Sequence, residues 1–111
     1  MRAKPIRRLF EGKEQIIGYE IFCLGCDHRH VIYTLKGFYR AYWTFNGDVN
    51  KPTFGPSLKC TTGSLAVKGY IDDPAIPPTC CHSFIRNGQM QYLKDCTHFL
   101  RGQTVDLPQI V

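Results

Sequence analysis

No apolar run in these 111 residues approaches the roughly 20 needed to cross a bilayer, and the opening Met1-Arg2-Ala3-Lys4 lacks the apolar core of a signal peptide. A cytoplasmic protein with no membrane partner is expected. Heptads, internal repeats and low-complexity tracts are missing, which excludes coiled coils and repeat solenoids. The alternation of strands and helices that surrounds a thioredoxin-type Cys-x-x-Cys is missing as well. Acidic residues are scarce, nine against fourteen Lys and Arg, for a net charge of +5. Arg2, Lys4, Arg7 and Arg8 carry much of that excess, and one terminal arm is not the basic, aromatic-studded face that nucleic acid requires. Tyr39-Arg40-Ala41-Tyr42-Trp43 comes nearest to such a face but suits ordinary strand packing, so no nucleic-acid partner is expected.

What is present favours β structure in a single domain spanning residues 1–111. Ile6 to Phe10 and Gln15 to Phe22 read as strands joined by the turn Glu11-Gly12-Lys13-Glu14. His30 to Leu35, Arg40 to Phe45 and Ser64 to Ile71 have strand composition, and five prolines from Pro52 to Pro78 mark long connections between them. A short helix over Cys96 to Arg101, capped by Asp95 and ended by Gly102, precedes a last strand at Thr104 to Leu107. The expected fold is mainly β: a small curled sheet or partly open barrel with a zinc-ribbon-like knuckle and one short helix.

Reactive side chains concentrate between Cys80 and His98, around Asn87-Gly88. That dipeptide between alternating segments signals a two-residue hairpin, because a type I′ turn needs positive φ at both central positions. Pairing Arg86 with Gln89 sets Ile85 opposite Met90, Ser83 opposite Tyr92, His82 opposite Leu93 and Cys80 opposite Asp95. His82 and Asp95 become diagonal neighbours on one face, within imidazole–carboxylate reach. Cys81 and Ser83 point the other way.

Cys23-Leu-Gly-Cys26-Asp-His28-Arg-His30 lies between two predicted strands, as zinc-binding knuckles do, and sulfur with imidazole nitrogen is the donor set zinc prefers. Cys23, Cys26 and His30 are three candidate ligands, with His28 or a distant thiol such as Cys81 as the fourth. A full protein ligand set makes the zinc structural.

Pro52-Thr53-Phe54-Gly55-Pro56-Ser57 ends a proline-bracketed loop on a serine. With His82 as base and Asp95 as its orienter, Ser57 completes a nucleophilic set. His98, three residues after Asp95, is an alternative base or an additional donor.

The motifs Cys-x-x-Cys-x-x-x-His, Trp-x-Phe-Asn-Gly-Asp-x-x-x-Pro-Thr-Phe-x-Pro-Ser, Cys-His-x-Phe-Ile-x-x-Gly and Asp-Cys-Thr-His-x-Leu-x-Gly-Gln-Thr-Val, in this order over roughly residues 20 to 108, resemble a small bacteriophage and bacterial family related to BubE. BubE is regarded as the serine peptidase of bacterial ubiquitin-like conjugation operons. The resemblance implies a hydrolase acting at the C-terminal end of a ubiquitin-like protein or its conjugate. It implies catalytic roles for Ser57, His82, Asp95 and His98, and metal ligation by Cys23, Cys26 and His30. The chain departs from the pattern in Leu24, where proline is common, and in the extra His28. Two rival readings are a non-catalytic zinc module that binds a host protein, and a metal-dependent hydrolase with zinc on His82, Asp95 and His98.

Overall fold

The structure, a computed structural model, describes residues 1–111. Strands β1 (Lys4–Phe10), β2 (Lys13–Cys23) and β3 (His28–Tyr33) form one antiparallel sheet in that order. Strands β4 (Thr44–Phe45), β5 (Phe54–Thr61), β6 (Cys80–Arg86), β7 (Gln89–Tyr92) and β8 (Thr104–Asp106) form a second, also antiparallel and in chain order. The fold is mainly β, with two open sheets and no closed barrel. No helix is long and apolar enough to cross a membrane.

Two hairpins follow directly from their turn residues. Glu11 and Gly12 have φ of 51° and 81°, and Asn87 and Gly88 have 55° and 77°, so each pair supplies the positive φ that a two-residue turn demands. The second turn sets the β6–β7 register at Arg86↔Gln89, Ile85↔Met90 and Ser83↔Tyr92, as the sequence predicts. Alternation along β6 then sorts its side chains. Cys81, Ser83 and Ile85 are buried, whereas His82 and Phe84 are only partly covered and Arg86 is exposed. The buried side joins one apolar cluster fed by both sheets, including Ile21 and Ile32 from the first and Phe54, Leu58, Met90 and Tyr92 from the second.

Strand β5 is irregular where the serine lies. Phe54 pairs with Ile85 and Leu58 with Ser83, so four steps along β5 match two along β6. The surplus falls at Gly55-Pro56-Ser57, and Pro56 has no N–H to give a ladder. After this bulge, Lys59 stands opposite His82. Ser57 is therefore two residues from the partner of His82, on the same face.

Several expected elements differ. Residues 96–101 are irregular, with turns only from Phe99, instead of a helix, because Cys96 and Thr97 spend their polar groups on β6: the Thr97 N–H donates to the Cys80 carbonyl at 2.9 Å, and the Cys80 N–H donates to Thr97 Oγ1 at 3.0 Å. The short helical element is a 3-10 turn at Gly63–Leu65, overlapping the start of the segment expected to be a strand over Ser64 to Ile71. There the Ser64 N–H is taken by Asp72, and Ala66 and Val67 donate back to Gly63, which leaves no extended run. The strand expected over Arg40 to Phe45 shrinks to Thr44–Phe45.

Candidate active site

Ser57, His82 and Asp95 meet on the outer face of the second sheet. His82 Nε2 lies 3.1 Å from Ser57 Oγ, and His82 Nδ1 lies 3.0 Å from Asp95 Oδ2. With the proton on Nδ1 donated to the carboxylate, Nε2 is free to accept from the serine hydroxyl. The hydrogen bond from His82 holds the Asp95 carboxyl below the usual carboxylate range. Lys59 Nζ adds a longer contact, 4.0 Å from the same carboxylate oxygen. Side-chain exposure of 23% for His82 and 47% for Asp95 leaves the pair open to solvent.

Each side chain is positioned by a different element. The β5 bulge presents Ser57, and Trp43 fixes its main chain, the indole Nε1–H donating to the Ser57 carbonyl at 3.2 Å. His82 is held in the β6 ladder, where its carbonyl accepts the Leu93 N–H at 2.8 Å. Strand β7 has ended at Tyr92, so Asp95 is not the ladder partner of Cys80; it reaches His82 from the following turns. The two cavities of the molecule, of about 360 and 330 Å³, have none of these three residues in their walls. Ser57 is thus partly covered on the sheet face and lies outside any enclosing cavity.

Behind this face lies a sulfur-rich cluster. The ligand atoms of Cys23, Cys26, His30 and Cys81 lie within 4.8 Å of one another and could hold a metal ion. His30 Nε2 is buried with no hydrogen-bond partner, which is the state of an imidazole facing a ligand position. Cys23 Sγ lies 3.8 Å from Cys81 Sγ and 3.1 Å from the Tyr92 hydroxyl. Interaction with Cys81 brings the Cys23 thiol down to about 3, against the opposing effect of burial. Burial, with the neighbouring Cys23 charge, pushes Cys26 up to about 12. For His30 burial favours the neutral ring, but attraction to Cys23 and Cys60 outweighs it and raises the group to about 9. All six cysteines are free of disulfides.

Two sequence expectations change here. His28 is not in the ligand group: it is exposed, with Nδ1 against the Arg29 carbonyl, and Cys81 takes the fourth place. His98 is not brought to Ser57. It packs edge-on against Tyr92 with ring centroids 4.5 Å apart, and its ligand atom groups with those of Cys81 and Cys96 in a second set that could hold a metal. A single zinc on His82, Asp95 and His98 is accordingly not supported, as these three share no ligand group. Ser83, fully buried, cannot meet a substrate.

Gly25 is required by a close approach and not by its own backbone angle. Asp27, with φ of 57°, takes the left-handed position of the knuckle, while a Cβ on Gly25 would collide with the His98 ring. Trp43, Lys59 and Cys96 were not anticipated at the site. The spacing of Lys59 from Ser57 carried that signal, since i and i+2 share a strand face; for Trp43 and Cys96 the contacts arise only in the folded chain.

The arrangement is that of a small β protein bearing a serine, histidine and aspartate in the order used for nucleophilic acyl transfer, beside a cysteine-rich metal-type cluster. The chain belongs to the BubE family, described as the bacterial ubiquitination-like system serine protease, whose model matches residues 6–93. No curated protein and no solved structure shows a significant match.

Proposed function

We propose that this protein is a zinc-stabilised serine peptidase of a single 111-residue domain that cleaves at the C-terminal end of a ubiquitin-like protein or its conjugate. The observation that carries this reading is the unbroken line from Ser57 Oγ through both nitrogens of His82 to Asp95 Oδ2, at 3.1 and 3.0 Å. Family membership supports the protein substrate. So does the absence of an enclosing cavity at Ser57, which suits an extended chain better than a small molecule.

His82 Nε2 takes the Ser57 proton as Oγ attacks the substrate carbonyl carbon, while Asp95 holds the tautomer and offsets the imidazolium charge. Collapse of the tetrahedral adduct passes that proton from His82 to the departing amine. Water, deprotonated by His82, then releases the acyl chain from Ser57 and restores the hydroxyl. His98 takes no part in these transfers.

Cys23, Cys26, His30 and Cys81 would hold zinc as a closed ligand set that supplies cross-linking and no reaction step. Its effect on the site is mechanical. Through the metal Cys81 would tie β6 to the β2–β3 knuckle, and His82 is the next residue.

The test is incubation of wild type and Ser57→Ala with ubiquitin-like proteins encoded beside family members, each carrying a C-terminal extension. Wild type releases the extension and Ser57→Ala does not. Equal cleavage by both contradicts the proposal.

A further inference from the structure

Strand β5 has an uncovered edge beside the nucleophile. Strand β4 pairs only with Phe54 and Gly55, so no strand flanks β5 beyond Gly55 on that side. The direction of the β5 main-chain groups follows from its partner. His82 gives its N–H to Cys96 Sγ at 3.2 Å and receives the Leu93 N–H on its carbonyl, so both its polar groups face away from β5. Lys59, opposite His82, is then at a non-hydrogen-bonded position of the β5–β6 ladder, and its own N–H and C=O point to the uncovered edge. Thr61 repeats this two residues on. No turn, loop or side chain elsewhere in the protein bonds the main chain of Lys59 or Thr61.

Ser57 marks where the edge stops. Its carbonyl points the same way but is already occupied by the Trp43 indole. A chain pairing with this edge can therefore exchange bonds with Thr61 and Lys59 and then meets the indole beside the nucleophile.

We infer that the β5 edge from Lys59 to Thr61 is a peptide-binding site that takes an extended protein segment as an added antiparallel strand. Antiparallel pairing makes the segment run from Thr61 toward Ser57, so the residues before the scissile bond lie on the edge and the scissile carbonyl arrives at Ser57 Oγ. With the scissile residue opposite Ser57, the residue two places before it stands opposite Lys59 and exchanges both main-chain bonds. Such pairing recognises the main chain and tolerates varied side chains. It selects a flexible C-terminal tail over a folded surface. This inference rests on the peptidase reading for its direction, but binding to the edge can be measured without turnover.

The experiment uses ¹⁵N-labelled Ser57→Ala with the synthetic peptide acetyl-Ala-Ala-Ala-Gly, and with the same peptide N-methylated at its second alanine, the residue two before the glycine. In parallel, wild type is treated with a small fluorophosphonate. The peptide is expected to shift the Lys59 and Thr61 amide signals and slow their hydrogen exchange, with the methylated peptide binding about tenfold more weakly for its lost hydrogen bond. Lys59→Pro, which removes an N–H that no ladder uses, should weaken the unmethylated peptide to a similar degree while Lys59→Ala does not. Shifts confined to other strands, equal binding of both peptides, no binding at millimolar peptide, or a dimer of this chain seated on Lys59 and Thr61 that excludes the peptide would each overturn the inference. Failure of the fluorophosphonate to label Ser57 counts against the peptidase reading alone, because the peptide arm reports on the edge independently.

Discussion

The buried thiol of Cys96 grips the main chain of His82 from both sides: its sulfur accepts the His82 N–H at 3.2 Å and donates to the His82 carbonyl at 3.1 Å. This clasp continues the β7 side of the sheet beyond the last regular pair, at the point where the base must be held still. Cys96→Ala leaves the His82 N–H unpaired and a small void around it. Stability should fall by about 1–3 kcal/mol, read from urea denaturation, with slower Ser57 labelling by a fluorophosphonate. Cys96→Ser, which keeps a donor and an acceptor, should recover much of both; identical behaviour of the two variants would assign the clasp no role.

Asp95 should act through the tautomer of His82 and contribute little to stability, because its carboxylate is about half exposed. Asp95→Asn should reduce turnover by about 10²–10⁴-fold with little change in the urea midpoint. The folded pKa of Asp95 lies below its unfolded value, so the contribution of the contact is complete above the unfolded carboxylate range near 3.9 and is lost as pH falls through the lower folded value. In Asp95→Asn the acid-side loss of stability in that window should shrink. An unchanged profile would remove Asp95 from the account.

Zinc uptake should release protons in a number set by the cluster. The shifts favour Cys23 as the thiolate, Cys26 and Cys81 as thiols and His30 as the imidazolium before metal binds. Filling the site therefore expels about three protons per zinc, measurable by calorimetric titration in buffers of different ionisation enthalpy. His30→Ala should lower that number by about one and weaken binding. His28→Ala should change neither, and a large effect from it would contradict the assignment of Cys81 as fourth ligand.

Much of this site was legible because it depends on local rules. Asn87-Gly88 fixes a turn, the turn fixes a register, and the register puts His82 on one face and Cys81 on the other; Asp95 reaches that face from the turns after β7, outside the register. The knuckle was legible for the same reason, its spacing being set by the turn between two strands. What escaped depends on packing between distant segments. The three-residue spacing of Asp95 and His98 brings them together only on a helical turn, but Thr97 and Cys96 bond across to β6, and the His98 ring packs against Tyr92. The choice of Cys81 over His28 required knowing that β6 lies over the knuckle. The Gly55–Ser57 bulge, which carries Ser57 onto the face of His82, is written in Pro56 only as a break in pairing and not as a direction.

The central claim is that Ser57 is a nucleophile activated by His82, and its most direct measurement is intact mass and peptide mapping after treatment with a fluorophosphonate. The account predicts one adduct on Ser57 in the wild-type protein, none in Ser57→Ala, and a greatly slowed reaction in His82→Ala at unchanged fold. An unmodified Ser57 in folded wild-type protein, or equal labelling of wild type and His82→Ala, would contradict it.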